Sequence, residues 1–196
     1  MKATRHNTEK IVPNIKSAWE IAQEKANKLG NLSAQEREEQ RQDKCRLLGE
    51  AIADKYLSQR DSRIIKNELD KHESPDKGSI SGAVMRRLGQ SIDLTYPGSL
   101  PDIFRGILAV SHTPSTKKTL DLIETLFQEY IEAEKKQRQE IEDACGQILH
   151  QIRVSGSAIG PVNIRAKEEW QAKLDQTASP FFERLKSLKQ ELLGGA

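Results

Sequence analysis

Large aromatic side chains are scarce in this chain. Phe, Trp and Tyr together supply 5% of its residues, and hydrophobic residues as a whole 36%. A layered core of sheets and helices needs more apolar material, so a thin helical body with much solvated surface fits the composition better. Alternation of polar and apolar residues is also missing, as are Val/Thr-rich runs, which removes the usual signature of β-strands. No apolar run approaches the ~18 residues of a membrane span, and Met1–Lys10 has no apolar centre of the kind a secretory signal carries. An all-α, cytoplasmic protein with no membrane contact is expected. The only cysteines, Cys45 and Cys145, show no Cys-x-x-Cys spacing. Both fall in helical segments on or beside an apolar stripe and read as reduced, small hydrophobic residues.

An excess of charge of one sign is absent as well. The 31 basic and 29 acidic residues leave a formal charge of +2, and the two signs are mixed locally. A nucleic-acid binder concentrates Lys and Arg on one face to neutralise phosphates. The strongest such feature is small: Lys77, Arg86 and Arg87, read as a basic group at a helix end, with Gly78-Ser-Ile-Ser-Gly82 as a possible anion-binding turn. The Gly-x-x-x-x-Gly-Lys-Ser/Thr pattern is lacking and no strand precedes it. Four histidines, His6, His72, His112 and His150, stand singly, outside any His-x-x-x-His or Glu-x-x-His pair. No catalytic residue, cofactor or metal is assigned.

What the chain does contain is helical periodicity. After a polar segment, residues 1–12, Pro13 suits a first helical turn. Ile15, Ala18, Trp19, Ala22, Ala26 and Leu29 follow at helical spacing, with Trp19 as the expected docking anchor. Ser33-Ala-Gln-Glu36 is a capping box that opens a second helix. Its charged start, Glu36–Lys44, can bury little, whereas Cys45, Leu48, Ile52 and Tyr56 form a stripe flanked by Leu47 and Ala51. A short helix carries Ile64, Ile65 and Leu69 inward. Beyond the loop Ser74–Gly78, a helix over 79–93 spaces Ile80, Val84, Leu88 and Ile92 by four. The turn Thr95-Tyr-Pro-Gly98 leads to an apolar helix, Ser99–Val110, whose Ile103, Phe104, Ile107, Leu108 and Val110 are the expected centre of the core.

The last eighty residues read as an antiparallel hairpin of coiled-coil character. Two helices, about Ser115–Arg153 and Asn163–Leu193, flank the small-residue turn Val154–Val162. The first has Leu120, Ile123, Phe127, Tyr130 and Ile131, then a charged middle, Glu132–Glu140, then Ile141, Cys145, Ile148 and Ile152. Glu132–Lys136 and Glu134–Arg138 are favourable i,i+4 pairs across that middle. The second keeps Trp170, Leu174, Ala178, Phe181, Leu185, Leu188 and Leu192 in register. Ser179-Pro180 predicts a kink or break within it, since an interior proline costs about 3 kcal/mol. The turn is apolar where a connector is usually polar. Val154, Ile159 and Val162, rimmed by Arg153 and Arg165, are therefore candidate protein contacts.

The segment Asn14–Gly30 and the turn Arg153–Asn163 resemble parts of small bacterial helical proteins of unknown function, over about a quarter of the chain. That resemblance implies a bacterial intracellular protein and carries no activity or functional residue with it.

These observations suggest residues 13–113 as a helical body, 114–193 as the hairpin and 194–196 as a tail. In two helices alone Phe127, Tyr130, Trp170 and Phe181 cannot all be covered, so other helices must complete the core, from the body or a second subunit. The leading functional expectation is a non-enzymatic interaction or scaffold protein that self-associates, as a homodimer, or grips a protein partner through the hairpin. The alternatives are a nucleic-acid-associated protein using Lys77, Arg86 and Arg87, and an enzyme whose site is assembled only in three dimensions.

Overall fold

The computed structural model describes residues 17, 19, 20, 23, 33–153, 163 and 167–194. Among them the regular elements are all helical, with no strand, as the missing alternation predicts. We label the helices α1 (Ala34–Gln59), α2 (Ser62–Leu69), α3 (Asp76–Gln90), α4 (Leu100–Val110), α5 (Pro114–Gln151) and α6 (Glu168–Gly194); a 3-10 turn, Pro97–Ser99, precedes α4. The chain divides into two compact units, Met1–Asp43 and Lys44–Ala196.

In the first unit two capping boxes organise the described residues. The Ser17 amide donates to Glu20 Oε2 at 2.8 Å and the Glu20 amide to Ser17 Oγ at 3.2 Å. Ser33 and Glu36 repeat the exchange at 2.7 and 3.1 Å. Each box satisfies two backbone donors that a helix start leaves orphaned. The Ser33 amide and hydroxyl also hold the Glu36 carboxyl below the usual carboxylate range. The Ser17 box caps the helical residues Trp19 and Glu20; Pro13, expected in a first helical turn, lies outside the described residues. Trp19, expected to anchor, is instead 70% exposed. Residues 34–43 are exposed throughout, as their charge requires.

The second unit begins where α1 starts to bury side chains. Its seam is Cys45, Gly49, Ile52, Ala53 and Tyr56, while Leu48 lies at the edge and Leu47 points to solvent. The expected stripe put Leu48 where Gly49 stands. The reason is a close helix crossing: a Cβ at Gly49 would lie 2.5 Å from the Ala83 Cβ and 2.7 Å from the Ile80 carbonyl oxygen. The Cys45 thiol is buried and donates to Asp76 at the start of α3. Tyr56 is fully buried against Gly106, where an added methyl would overlap its ring, and its hydroxyl donates to the Asp102 carbonyl of α4. Burial pushes the Tyr56 hydroxyl pKa up. Tyr56, not Trp19, is thus the deeply buried aromatic of the N-terminal half. Arg60 ends α1 at φ 57°, its amide donating to the Tyr56 carbonyl.

Asp61 caps α2 by accepting from the Arg63 amide, and α2 turns Ile65 and Leu69 inward. Helix α3 starts at Asp76, three residues before the expected boundary, so Gly78 belongs to the helix and not to the loop. Ile80, Val84, Leu88 and Ile92 are all buried, as their spacing predicts. Asp93 then accepts from the Thr95 amide and hydroxyl, and this Asx turn feeds the 3-10 turn and α4. On α4 only Ile103 and Ile107 of the five expected core residues are fully buried; Phe104, Leu108 and Val110 are half-buried. The core centre lies between α4 and its neighbours, on Tyr56, Ile65, Leu88, Ile92, Ile123 and Leu126.

The same core takes in Phe127 and Tyr130 of α5 and Leu185 and Leu192 of α6. Other helices of this chain therefore complete the base of the hairpin. Leu192 and Leu193 lie over Gly89 of α3, and the Lys189 ammonium donates to the Gln90 carbonyl at 3.4 Å, at the negative end of that helix. Burial there pushes the Lys189 pKa down, against the attraction of Asp93. Helix α6 runs unbroken through Pro180, so of the kink or break expected there the break does not occur. Proline offers no N–H to the Gln176 carbonyl, but Pro180 and Gln176 are both exposed, where solvent lowers the cost of that lost bond.

The glycines give a signed test. Gly49→Ala and Gly106→Ala should each destabilise the protein by about 1–3 kcal/mol through overpacking. Gly82→Ala, with nothing within 4 Å of its added carbon, should stabilise it by about 0.5–1 kcal/mol. Urea denaturation midpoints would show both signs; a loss at Gly82 equal to that at Gly49 would contradict the packing described.

Candidate interaction surface

The hairpin is set in place at its root. Thr113 caps α5 by accepting from the Thr116 amide at 3.1 Å, Pro114 takes the first helical position, and the buried Thr116 hydroxyl bonds Thr113 and Ser111. From there the inner seam of α5 is Leu120, Ile123, Phe127 and Tyr130, all buried, then Ala133, Glu134 and Gln137, half-buried, then buried Ile141 and half-buried Cys145 and Leu149. Helix α6 answers with Trp170, Leu174, Ala178, Phe181, Leu185, Leu188 and Leu192, each buried or half-buried, which is the register its spacing predicts.

The charged middle is therefore less bare than expected. Gln137 accepts from the Thr177 hydroxyl of α6 at 3.3 Å. The Glu134–Arg138 pair forms at 2.6 Å, while Glu132 and Lys136, both exposed, make no bridge. Such an exposed pair supports the helix by about 0.3–0.5 kcal/mol. The firmest contact is aromatic. Tyr130 packs on Phe181 edge-on at 5.6 Å between centroids and on Phe182, tilted, at 6.3 Å.

On the outer side of the same helices lies an open depression of about 470 Å³. Leu122, Thr125 and Glu129 of α5 form one wall; Arg184, Ser187 and Leu188 of α6 form the other. Leu122 is 43% exposed although it sits one residue from the fully buried Ile123. Arg184 crosses the depression to Glu129 at 2.7 Å, and Glu183 leaves a further carboxylate on the rim. Further along, Ile148 of α5 and Ile152 just past its end are also exposed.

This surface differs from the one read in the sequence. Val154, Ile159, Val162 and Arg165 lie outside the described residues. Arg153 is described: it closes the last turn of α5 at φ 62°, exposed, with its amide donating to the His150 carbonyl. The outer depression was missed because Leu122 falls off the main apolar stripe. A signal was present, since Leu122, Thr125 and Glu129 are spaced by three and four and so share a second face.

The proposed basic cluster does not assemble. Lys77 sits in the first turn of α3 and Arg87 in its last, about 15 Å apart along the axis. Lys77 pairs with Asp70 at 2.9 Å and Arg87 with Asp54 at 2.7 Å, which raises the Arg87 pKa. Arg86 borders a separate depression beside Gly78 and Gly82. The turn read as anion-binding is helical, and the amides of Lys77 and Ser79 already donate to the Glu73 and Pro75 carbonyls. Among the described residues no group of three or more His, Cys, Asp or Glu is arranged to hold a metal ion, and no helix is long and apolar enough to cross a membrane.

No protein-family model matches the chain, and neither a curated protein nor a solved structure shows significant similarity to it.

The hairpin contacts differ in weight, which mutation can resolve. Phe181→Ala should cost about 2–4 kcal/mol, combining lost burial with the Tyr130 pair. Arg184→Ala should cost less than about 1 kcal/mol, because its bridge is solvated. Equal shifts in urea midpoint for the two variants would contradict this ranking.

Proposed function

We propose that the chain is a non-enzymatic helical interaction protein of the cytoplasm that associates with a second copy of itself through the outer face of the α5–α6 hairpin. The observation that carries this reading is the exposed Leu122 facing Leu188 across an open depression with acid and base on one rim. Apolar side chains at neighbouring positions of two helices leave surface that a partner buries favourably, at roughly 25 cal/mol per Å². The rim is self-complementary in charge. In a two-fold arrangement Arg184 of one copy meets Glu129 or Glu183 of the other, so a single patch serves both sides. The polar seam at Glu134 and Gln137 works the same way at larger scale: the hairpin's outer half is held less firmly than its base and leaves Ile148 and Ile152 in solvent.

A sedimentation series from about 1 to 100 µM tests the proposal. The wild-type chain should move from monomer to dimer as concentration rises, and Leu122→Glu should remain a monomer while keeping its helix content. A compact wild-type monomer across the whole range, or a Leu122→Glu protein that still dimerises, would contradict it.

A further inference from the structure

A second cleft in the hairpin, of about 270 Å³, opens between α5 and α6 beside Thr95. Its lining is chemically unlike the outer depression. Tyr130, Glu134 and Arg138 come from α5; Gln171, Asp175 and Phe182 come from α6. Two carboxylates face one guanidinium there, so the lining carries a net negative charge. Arg138 is already committed: its Nε and one terminal nitrogen both donate to Glu134 Oε1, at 3.1 and 2.6 Å. Gln171 donates to Asp175 Oδ1 at 2.9 Å. Each carboxylate thereby keeps one oxygen with no hydrogen-bond donor among the described residues.

Tyr130 supplies the independent observation. It is only 9% exposed, yet its hydroxyl makes no hydrogen bond with any described residue. Among the described residues no buried side-chain oxygen or nitrogen is sealed off without a partner, so this hydroxyl is open to solvent, and the cleft is the opening that Tyr130 lines. A nearly buried phenol with an unused oxygen, beside two partly used carboxylates, leaves three oxygens able to accept from a ligand. Burial and then Glu134 push the Tyr130 pKa up, with Asp93 and Asp175 acting in the same sense and Arg138 opposing them. Those groups make the potential at the phenol oxygen negative.

We infer that this cleft binds a primary ammonium group on a short alkyl chain. An ammonium has three donors and no acceptor, which matches one oxygen each from Glu134, Asp175 and Tyr130. It also neutralises the excess carboxylate. The ring of Phe182, 42% exposed, offers an apolar wall for the alkyl chain and a face for the cation. The volume lies just below the usual range of roughly 300–1,000 Å³ for small-molecule sites, so the alkyl chain is short. Such a group arrives either on a free amine or on a lysine side chain of another protein. The cleft and the outer depression have no lining residue in common, so the inference does not depend on self-association.

Calorimetric titration of the full chain tests it, with n-butylamine and the capped tripeptide acetyl-Gly-Lys-Gly-amide as probes. Butyramide and butyrate serve as neutral and anionic matches. The cleft should take up the amine saturably with a Kd of roughly millimolar, as suits so small a ligand, and the two matches should give no saturable heat. Asp175→Asn should weaken binding about tenfold and Tyr130→Phe several-fold, with unchanged thermal melts, and Leu122→Glu should bind as wild type does. Tighter binding of the tripeptide than of butylamine assigns the ammonium to a partner's lysine; equal or weaker binding assigns it to a free amine. Butyrate binding as well as butylamine, no saturable binding of either amine probe, or an undiminished Asp175→Asn variant would overturn the inference.

Discussion

Close helix approach through missing side chains is the constraint on which the rest of this structure depends. With aromatics at 5% of the chain, few bulky groups are present to fill wide gaps between helices. The core is instead brought together at two glycines. Gly49 admits the backbone of α3 at Ile80, and Gly106 accepts the ring of Tyr56. Tyr56 then fastens α1 to α4 through the Asp102 carbonyl. Because dispersion attraction falls steeply with separation, a few tenths of an ångström at these crossings decide whether the surrounding Ile, Leu and Val side chains touch.

From that core the hairpin grows with diminishing support. Its base shares Ile123, Leu126, Phe127, Leu185 and Leu192 with the common core, and Lys189 ties it to the end of α3. Beyond Tyr130 the seam turns polar at Glu134 and Gln137 before Ile141 is buried again. The distal part thus holds together by α5 facing α6, with apolar residues left outside at Ile148 and Ile152. This gradient joins packing to the proposed function. On the proposed reading the rooted pair of helices offers its outer apolar face for association, and the polar interruption borders the cleft lined by Tyr130.

Much of this was legible from residue spacing. The all-α class, the Ser33–Glu36 cap, the buried Ile80–Ile92 row and the α6 register all follow from period and capping chemistry that act locally. What escaped depended on non-local contact. Leu48 looked like a core residue until the crossing at Gly49 rotated α1 away from it, and a glycine gives no hydrophobic signal. Of the kink or break expected at Pro180, the break does not occur, and Pro180 and Gln176 both lie on the exposed side of α6. Of the candidate site, the apolar turn at 154–162 falls outside the described residues. The basic group at Lys77, Arg86 and Arg87 dissolved because the spacing says nothing of Asp70 and Asp54 as partners. Leu122 and Tyr130 were each readable as helix residues. Their roles follow only from which residues α6 brings opposite them.

Native-state hydrogen exchange across α5 and α6 tests the central claim, that the hairpin is rooted in the shared core and not an independent coiled coil. The account predicts that amides around Leu185–Leu192 exchange through the same large opening as those of Leu88 and Ile92. Amides around Ile141–Leu149 should exchange earlier, by local opening at a lower free energy. Exchange of Leu185–Leu192 together with Ile141–Leu149 as one early unit, separate from Leu88 and Ile92, would contradict it.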